Sequence, residues 1–159
     1  MTDDVTACAD PAIDESADLL ATGVDWDIEP LLDGGTIDDL VDRAEKLAIN
    51  LAALRGQVSS FSGDELRECM RSFEALSDLL GRAGNYAALR FAVDTADPKN
   101  GARMARYEER STAIWTQLLF FDLEWAALDD GQADTLLANP SLEFAAHHLR
   151  AKRRYRDHL

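Results

Sequence analysis

From Ile37 onward the apolar positions recur at helical spacing. Ile37, Leu40, Val41, Ala44, Leu47, Ala48, Leu51 and Leu54 form one apolar stripe and predict a helix over about 37–58. Thr36 supplies its N-cap, and Asp38 and Asp39 place negative charge at the positive end of the helix dipole. Asp39–Arg43 and Asp42–Lys46 have the spacing of i,i+4 ion pairs on the wetter side. Gly56 and the serines of 59–62 end the element. A second helix opens at Ser62, where Glu65 completes a capping-box pattern. Its stripe is Leu66, Cys69, Met70, Phe73, Leu76, Leu80, Ala83 and Ala87. Gly81 and Gly84 interrupt that pattern, and predict either a close approach of another helix or a local break near residue 82.

A short connection at 94–98 leads to a third helix over about 98–128, with Asp97 as cap and Pro98 in the first turn. Over 114–128 the only polar residues are Thr116, Gln117, Asp122 and Glu124, which places this half at the centre of a bundle. Asp122 and Glu124 lie two apart and face different ways, so they do not form an acid/base pair; each is expected to meet an Arg from a neighbouring helix. Asp129-Asp130-Gly131 breaks the chain, a short helix follows over 133–138, and Asn139-Pro140 opens a last helix. That helix reaches the end of the sequence without a stop signal, so the chain reads as cut rather than finished. Residues 23–35 read as an irregular strap pinned by Trp26, Ile28, Leu31 and Leu32. The fold predicted is all-α, an antiparallel helical bundle built from hairpins, preceded by an acidic, disordered lead over 1–22.

Composition narrows the partners. A chain of 159 residues with 47% apolar residues is long enough for one domain with a real core. Its net charge of −14 disfavours nonspecific binding to nucleic acid and to anionic membranes. Residues 1–22 carry six Asp/Glu and no Lys or Arg. The excess of Asp over Glu and of Arg over Lys fits a GC-rich coding bias, with adaptation to high salt as the alternative. The N-terminus lacks a basic region and a continuous apolar core, and nothing downstream has the length of a membrane span. Cys8 and Cys69 lack zinc or redox spacing and point to reduced thiols in a cytoplasmic protein.

Candidate chemistry is sparse. The metal candidates are His147, His148 and His158; His147 and His148 are adjacent and point about 100° apart on a helix, so they do not bind one ion together. Glu143 and His147 share a face and could in principle hold zinc with a third ligand, but HExxH is absent. Cys69 lies on an apolar stripe and reads as a buried structural thiol. The basic run Arg150, Lys152, Arg153, Arg154 and Arg156 reads as a helix end favoured by its own dipole and facing an acidic body. No Gly-rich phosphate loop, GxSxG or Cys/His arrangement occurs. No catalytic, cofactor-binding or metal-ligating residue is assigned.

Five stretches nevertheless occur in a telling order. They are GVDWDIEPLLDGG at 23–35, LRGQVSSFSGDEL at 54–66, GRAGNYAALRFAVDTADP at 81–98, TQLLFFDLEWAAL at 116–128 and LEFAAHHLRAKRRYRDHL at the end. Together they resemble the N-terminal region of oligoendopeptidase F, of the thimet-oligopeptidase-like zinc metallopeptidases. The likeness covers about 23–159 and rests on packing and turn residues. It implies the N-terminal helical lobe of a larger helical enzyme, with zinc held downstream by HExxH and a further Glu. Its implied partners are a downstream catalytic domain of the same protein and, through that enzyme, oligopeptide substrates. On this reading the chain alone is inactive; an independent helical binding module is the alternative.

Overall fold

The computed structural model describes residues 26–154 and Arg156. The expected acidic lead over 1–22 and the closing residues of the last helix therefore lie outside the described residues. Five α-helices make up most of the rest: α1 (Ile37–Ala52), α2 (Gly63–Val93), α3 (Pro98–Ala127), α4 (Asp130–Leu137) and α5 (Glu143–Arg154). Short 3-10 turns occupy Glu29–Leu32, Val58–Ser60 and Pro140–Leu142, and no strand occurs among the described residues.

Local chemistry fixes the helix starts. In α1 the Asp39 amide donates to Thr36 Oγ1 at 3.1 Å, while the Thr36 amide donates to Asp39 Oδ2 at 2.8 Å. Ser62 and Glu65 repeat this reciprocal cap at α2. Both arrangements satisfy amides that have no partner inside the helix. Asp97 accepts from the Lys99 amide at 2.9 Å and Pro98 follows it in the first turn of α3.

Long-range bonds set the register of an up-down-up core. Phe73 and Phe121 rings meet at 4.9 Å, and Tyr107 donates to the Leu80 carbonyl at 2.8 Å, so α2 and α3 run antiparallel. Arg110 on α3 reaches Asp38, Asp42 and Glu45 on α1, whereas Arg55 just after α1 reaches the Gln117 carbonyl; α1 and α3 thus run parallel. The Glu45 carboxylate, then Asp42, raises the pKa of Arg110 against the opposing effect of burial. This arrangement corrects the expected pairs within α1: Asp39 serves the cap and Asp42 serves Arg110.

Other boundaries shift for identifiable reasons. The first helix stops at Ala52, six residues short of the expected Val58. Gly56 takes φ of 81°, and Val58 is buried, so the chain leaves the helix to tuck its apolar side chain inward. Between Gly81 and Gly84 there is no break, since α2 is continuous to Val93; Gly84 is instead where the Tyr107 ring packs directly on the backbone. Pro140 opens a 3-10 turn, with α5 following at Glu143.

The strap expectation holds only in part. Leu32 is buried and Ile28 and Leu31 pack against the core, but Trp26 is 78% exposed. The turn is held elsewhere: Arg82 donates to the Leu31 carbonyl at 2.9 Å, and Tyr86 donates to Glu29 at 2.8 Å. With those anchors made, Trp26 lies beyond the last docked residue and is not needed as a pin.

Candidate functional site

The second half of α3 is apolar on two faces, and only one is covered. Ile114, Leu118, Phe121 and Trp125 are buried in the core. Trp115, Leu119 and Leu123, spaced by four, are 42%, 55% and 56% exposed. The expectation that this half lies wholly inside the bundle is thus corrected. Helices α1, α2 and α5 pack on α3, yet these three side chains keep much of their surface exposed. A stripe of this kind, continuous with a groove, is the usual mark of a packing or recognition surface.

Beside the stripe runs a groove of about 280 Å³, floored by Met70, Phe73, Leu118 and Phe121 and walled by Trp115 and Leu119. Its far end carries Asp122, His148 and Lys152. A second hollow of about 210 Å³ shares Met70, Phe73 and His148 and continues towards Phe144. Lys152 Nζ donates to Asp122 Oδ2 at 2.7 Å, which neutralises both charges where the groove closes. Burial lowers the pKa of His148, and Lys152 lowers it further, against the opposing pull of Asp122. The result favours a neutral imidazole at neutral pH.

Contrary to expectation, neither Asp122 nor Glu124 meets an Arg. Asp122 takes Lys152, and Glu124 takes backbone amides: Gly56 N–H at 2.7 Å and Val58 N–H at 3.3 Å. Glu124 therefore caps the turn that ends α1, a role with no signal in sequence spacing because the partners are backbone groups 66 and 68 residues away. The Asp122 pairing is legible only as a charge that needs a cation.

The basic α5 is engaged with the body, in line with the reading of a helix end facing acid. Arg153 donates to the Trp125 carbonyl at 2.8 Å and the Leu128 carbonyl at 2.9 Å, and pairs with Asp130 at 2.6 Å. It thereby satisfies orphan carbonyls at the negative end of α3. Trp125, fully buried, donates from its indole to the Leu149 carbonyl at 3.0 Å. Bonds from Arg156 and Arg153 hold the Asp130 carboxyl down at about 2.

Other candidate groups remain apart. Glu143 and His147 are exposed, and no cluster of three His, Cys, Asp or Glu able to hold a metal occurs among the described residues; His158 and Cys8 lie outside them. Cys69 is buried, as expected, and burial pushes its thiol up to about 12, far from thiolate reactivity. No helix among the described residues is long and apolar enough to cross a membrane.

No family model matches this sequence, and no curated protein and no solved structure matches it either.

Proposed function

We propose that this chain is a non-catalytic helical lobe of a zinc-dependent oligoendopeptidase, and that its α3 face packs against the downstream catalytic domain of the same protein. The observation that carries the proposal is the uncovered stripe Trp115, Leu119 and Leu123 on a helix whose other face is already core. The order of the five family-like stretches supports the identity of the parent enzyme. In that enzyme the lobe walls the space that admits short peptides, and the zinc and its catalytic Glu come from elsewhere. Cytoplasmic location belongs to the same reading.

The test starts at the gene. The reading frame continued past Leu159 should reach HExxH, and the longer protein should bind zinc and cleave a fluorogenic oligopeptide. Leu119→Asp with Leu123→Asp should lower its thermal stability and turnover together. A stop codon at once after Leu159, or unchanged stability in the double variant, would overturn the proposal. An independent peptide-binding module is the second reading, favoured by the groove beside Trp115. It requires that the isolated chain bind apolar peptides and that the double variant abolish this binding.

A further inference from the structure

A separate hollow of about 390 Å³ opens where the end of α1, the turn after it and the start of α2 converge. Leu51, Leu54, Phe61 and Cys69 give it an apolar floor. The carboxylates of Asp64, Glu65 and Glu68 stand along its α2 side. It shares no lining residue with the groove beside Trp115, so it is a different site and does not rest on the α3 stripe.

Among the described residues no Lys, Arg or His lines the hollow. Arg67, beside it on α2, pairs with Glu68 at 2.8 Å and approaches Asp64 at 3.8 Å. One guanidinium against three carboxylates leaves an excess of two negative charges. The Ser62 amide, and then its hydroxyl, lower the pKa of Glu65 and keep it ionised. Asp64 and Glu65 belong to the first turn of α2, where the helix dipole favours acids; Glu68 lies beyond that turn, where the dipole's influence has faded. The negative end of α1 borders the same hollow through Asn50 and Leu51, in a last turn that carries no basic residue. Arg55, just past that helix, is engaged with α3 instead, over the Phe120 ring and on the Gln117 carbonyl. Lys46, one turn before Asn50, lines a different hollow.

We propose that this hollow binds a peptide segment carrying an Arg or Lys beside apolar residues, its basic head on Glu68 and Asp64 and its apolar neighbours on Leu51, Leu54 and Phe61. Charge complementarity selects a cation, and the apolar floor selects one with an aliphatic stem over a bare ion. Long basic side chains suit such a place, because their methylenes lie along apolar surface while the charge stays at the rim. The Phe61 ring adds to the attraction, since a cation within about 6 Å of an aromatic ring centre is drawn to its face. An acidic segment meets the excess carboxylates and is repelled.

Magnetic resonance titration of the full chain tests this with two capped tetrapeptides, one holding Arg among Leu residues and the other Gln in its place. The Arg peptide should shift the amides of Leu54, Phe61, Glu68 and Cys69. It should also bind about tenfold more tightly than the Gln peptide, the weight of two exposed ion pairs. Asp64→Asn with Glu68→Gln should remove that preference. Glu108→Gln with Glu109→Gln removes as much negative charge from the exposed surface of α3, outside the hollow, and should leave the preference intact. Equal binding of both peptides by the wild type would overturn the proposal, and this comparison does not depend on any variant folding. No shifts at all, shifts centred on Trp115–Leu123, or an equal loss in the two double variants would overturn it as well.

Discussion

Gly81 and Gly84 form a matched pair whose alanine variants should change stability in opposite directions. Both lie inside α2 with helical backbone, so either substitution contributes about 1 kcal/mol of helix propensity. A Cβ at Gly81 meets nothing within 4 Å, and Gly81→Ala should keep that gain. At Gly84 a Cβ would lie 2.6 Å from Tyr107 Oη, 2.7 Å from Cζ and 2.9 Å from Cε1, so the ring has to move. Its hydroxyl donates to the Leu80 carbonyl at 2.8 Å, and displacement strains or breaks that bond. Overpacking costs about 1–3 kcal/mol and the lost bond about 1 kcal/mol, against the 1 kcal/mol propensity gain. Gly84→Ala should therefore destabilise by about 1–3 kcal/mol, leaving the two variants about 2–4 kcal/mol apart. Urea unfolding followed by circular dichroism reads this as midpoints displaced to either side of wild type with an unchanged m-value. In a Tyr107→Phe background the cost of Gly84→Ala should shrink, because the nearest clashing atom is gone. If Gly84→Ala stabilises as much as Gly81→Ala, the account of the α2–α3 approach is wrong.

Three further perturbations probe the caps and the core thiol. Glu124→Ala leaves the amides of Gly56 and Val58 without their acceptor, and should cost about 1–3 kcal/mol in urea unfolding. Glu124→Gln keeps one oxygen and should lose less; a wild-type midpoint for the alanine variant would remove Glu124 from the turn. Asp130 titrates at about 2 in the fold against an ordinary 3.8, so its contribution is present above the ordinary value and is lost as pH falls through the folded one. Asp130→Asn should accordingly flatten the acid limb of the stability profile between those two values, and an unchanged limb would refute the pairing with Arg153 and Arg156. Cys69 should resist alkylation at pH 8 in the native state and react only on unfolding, as followed by peptide mass spectrometry. Rapid native modification of Cys69 would contradict its burial.

Much of the fold was legible because local chemistry announces helices. Thr36, Ser62 and Asp97 each cap the element that their spacing predicts, and the apolar stripes of α1 and α2 are the faces that the core buries. The misses share a cause, which is partnership over long sequence separation. Asp42 matched Lys46 by spacing, yet Arg110 offers a less exposed guanidinium that several acids of α1 reach together. Glu124 and Trp26 follow the same logic: backbone amides claimed the first, and the turn's anchors to Arg82 and Tyr86 made the second dispensable. The candidate site was half legible. Its apolar residues stood out, but their pattern does not say which face a neighbouring element covers.

That uncovered face bears on the choice between the two functional readings. Full burial of a Leu-sized side chain contributes about 1.5–3 kcal/mol, so finishing the burial of Trp115, Leu119 and Leu123 from their half-exposed state contributes about 3 kcal/mol. Bringing a free partner to the stripe costs an estimated 4–15 kcal/mol in translational and rotational freedom. The stripe alone does not hold a free protein against that cost. A segment continuous with this chain avoids most of it, because a tether fixes an effective concentration on the order of millimolar or above. At an effective concentration of about 1 mM roughly 4 kcal/mol of association cost remains, so the three side chains seat even a tethered domain only with further contacts, such as those the adjoining groove offers. The stripe alone therefore does not decide between the two proposed readings; what occupies the adjoining groove does. Competition by an apolar peptide for the groove distinguishes the two: it should leave a domain-packed stripe undisturbed and displace the ligand of a free-standing binder.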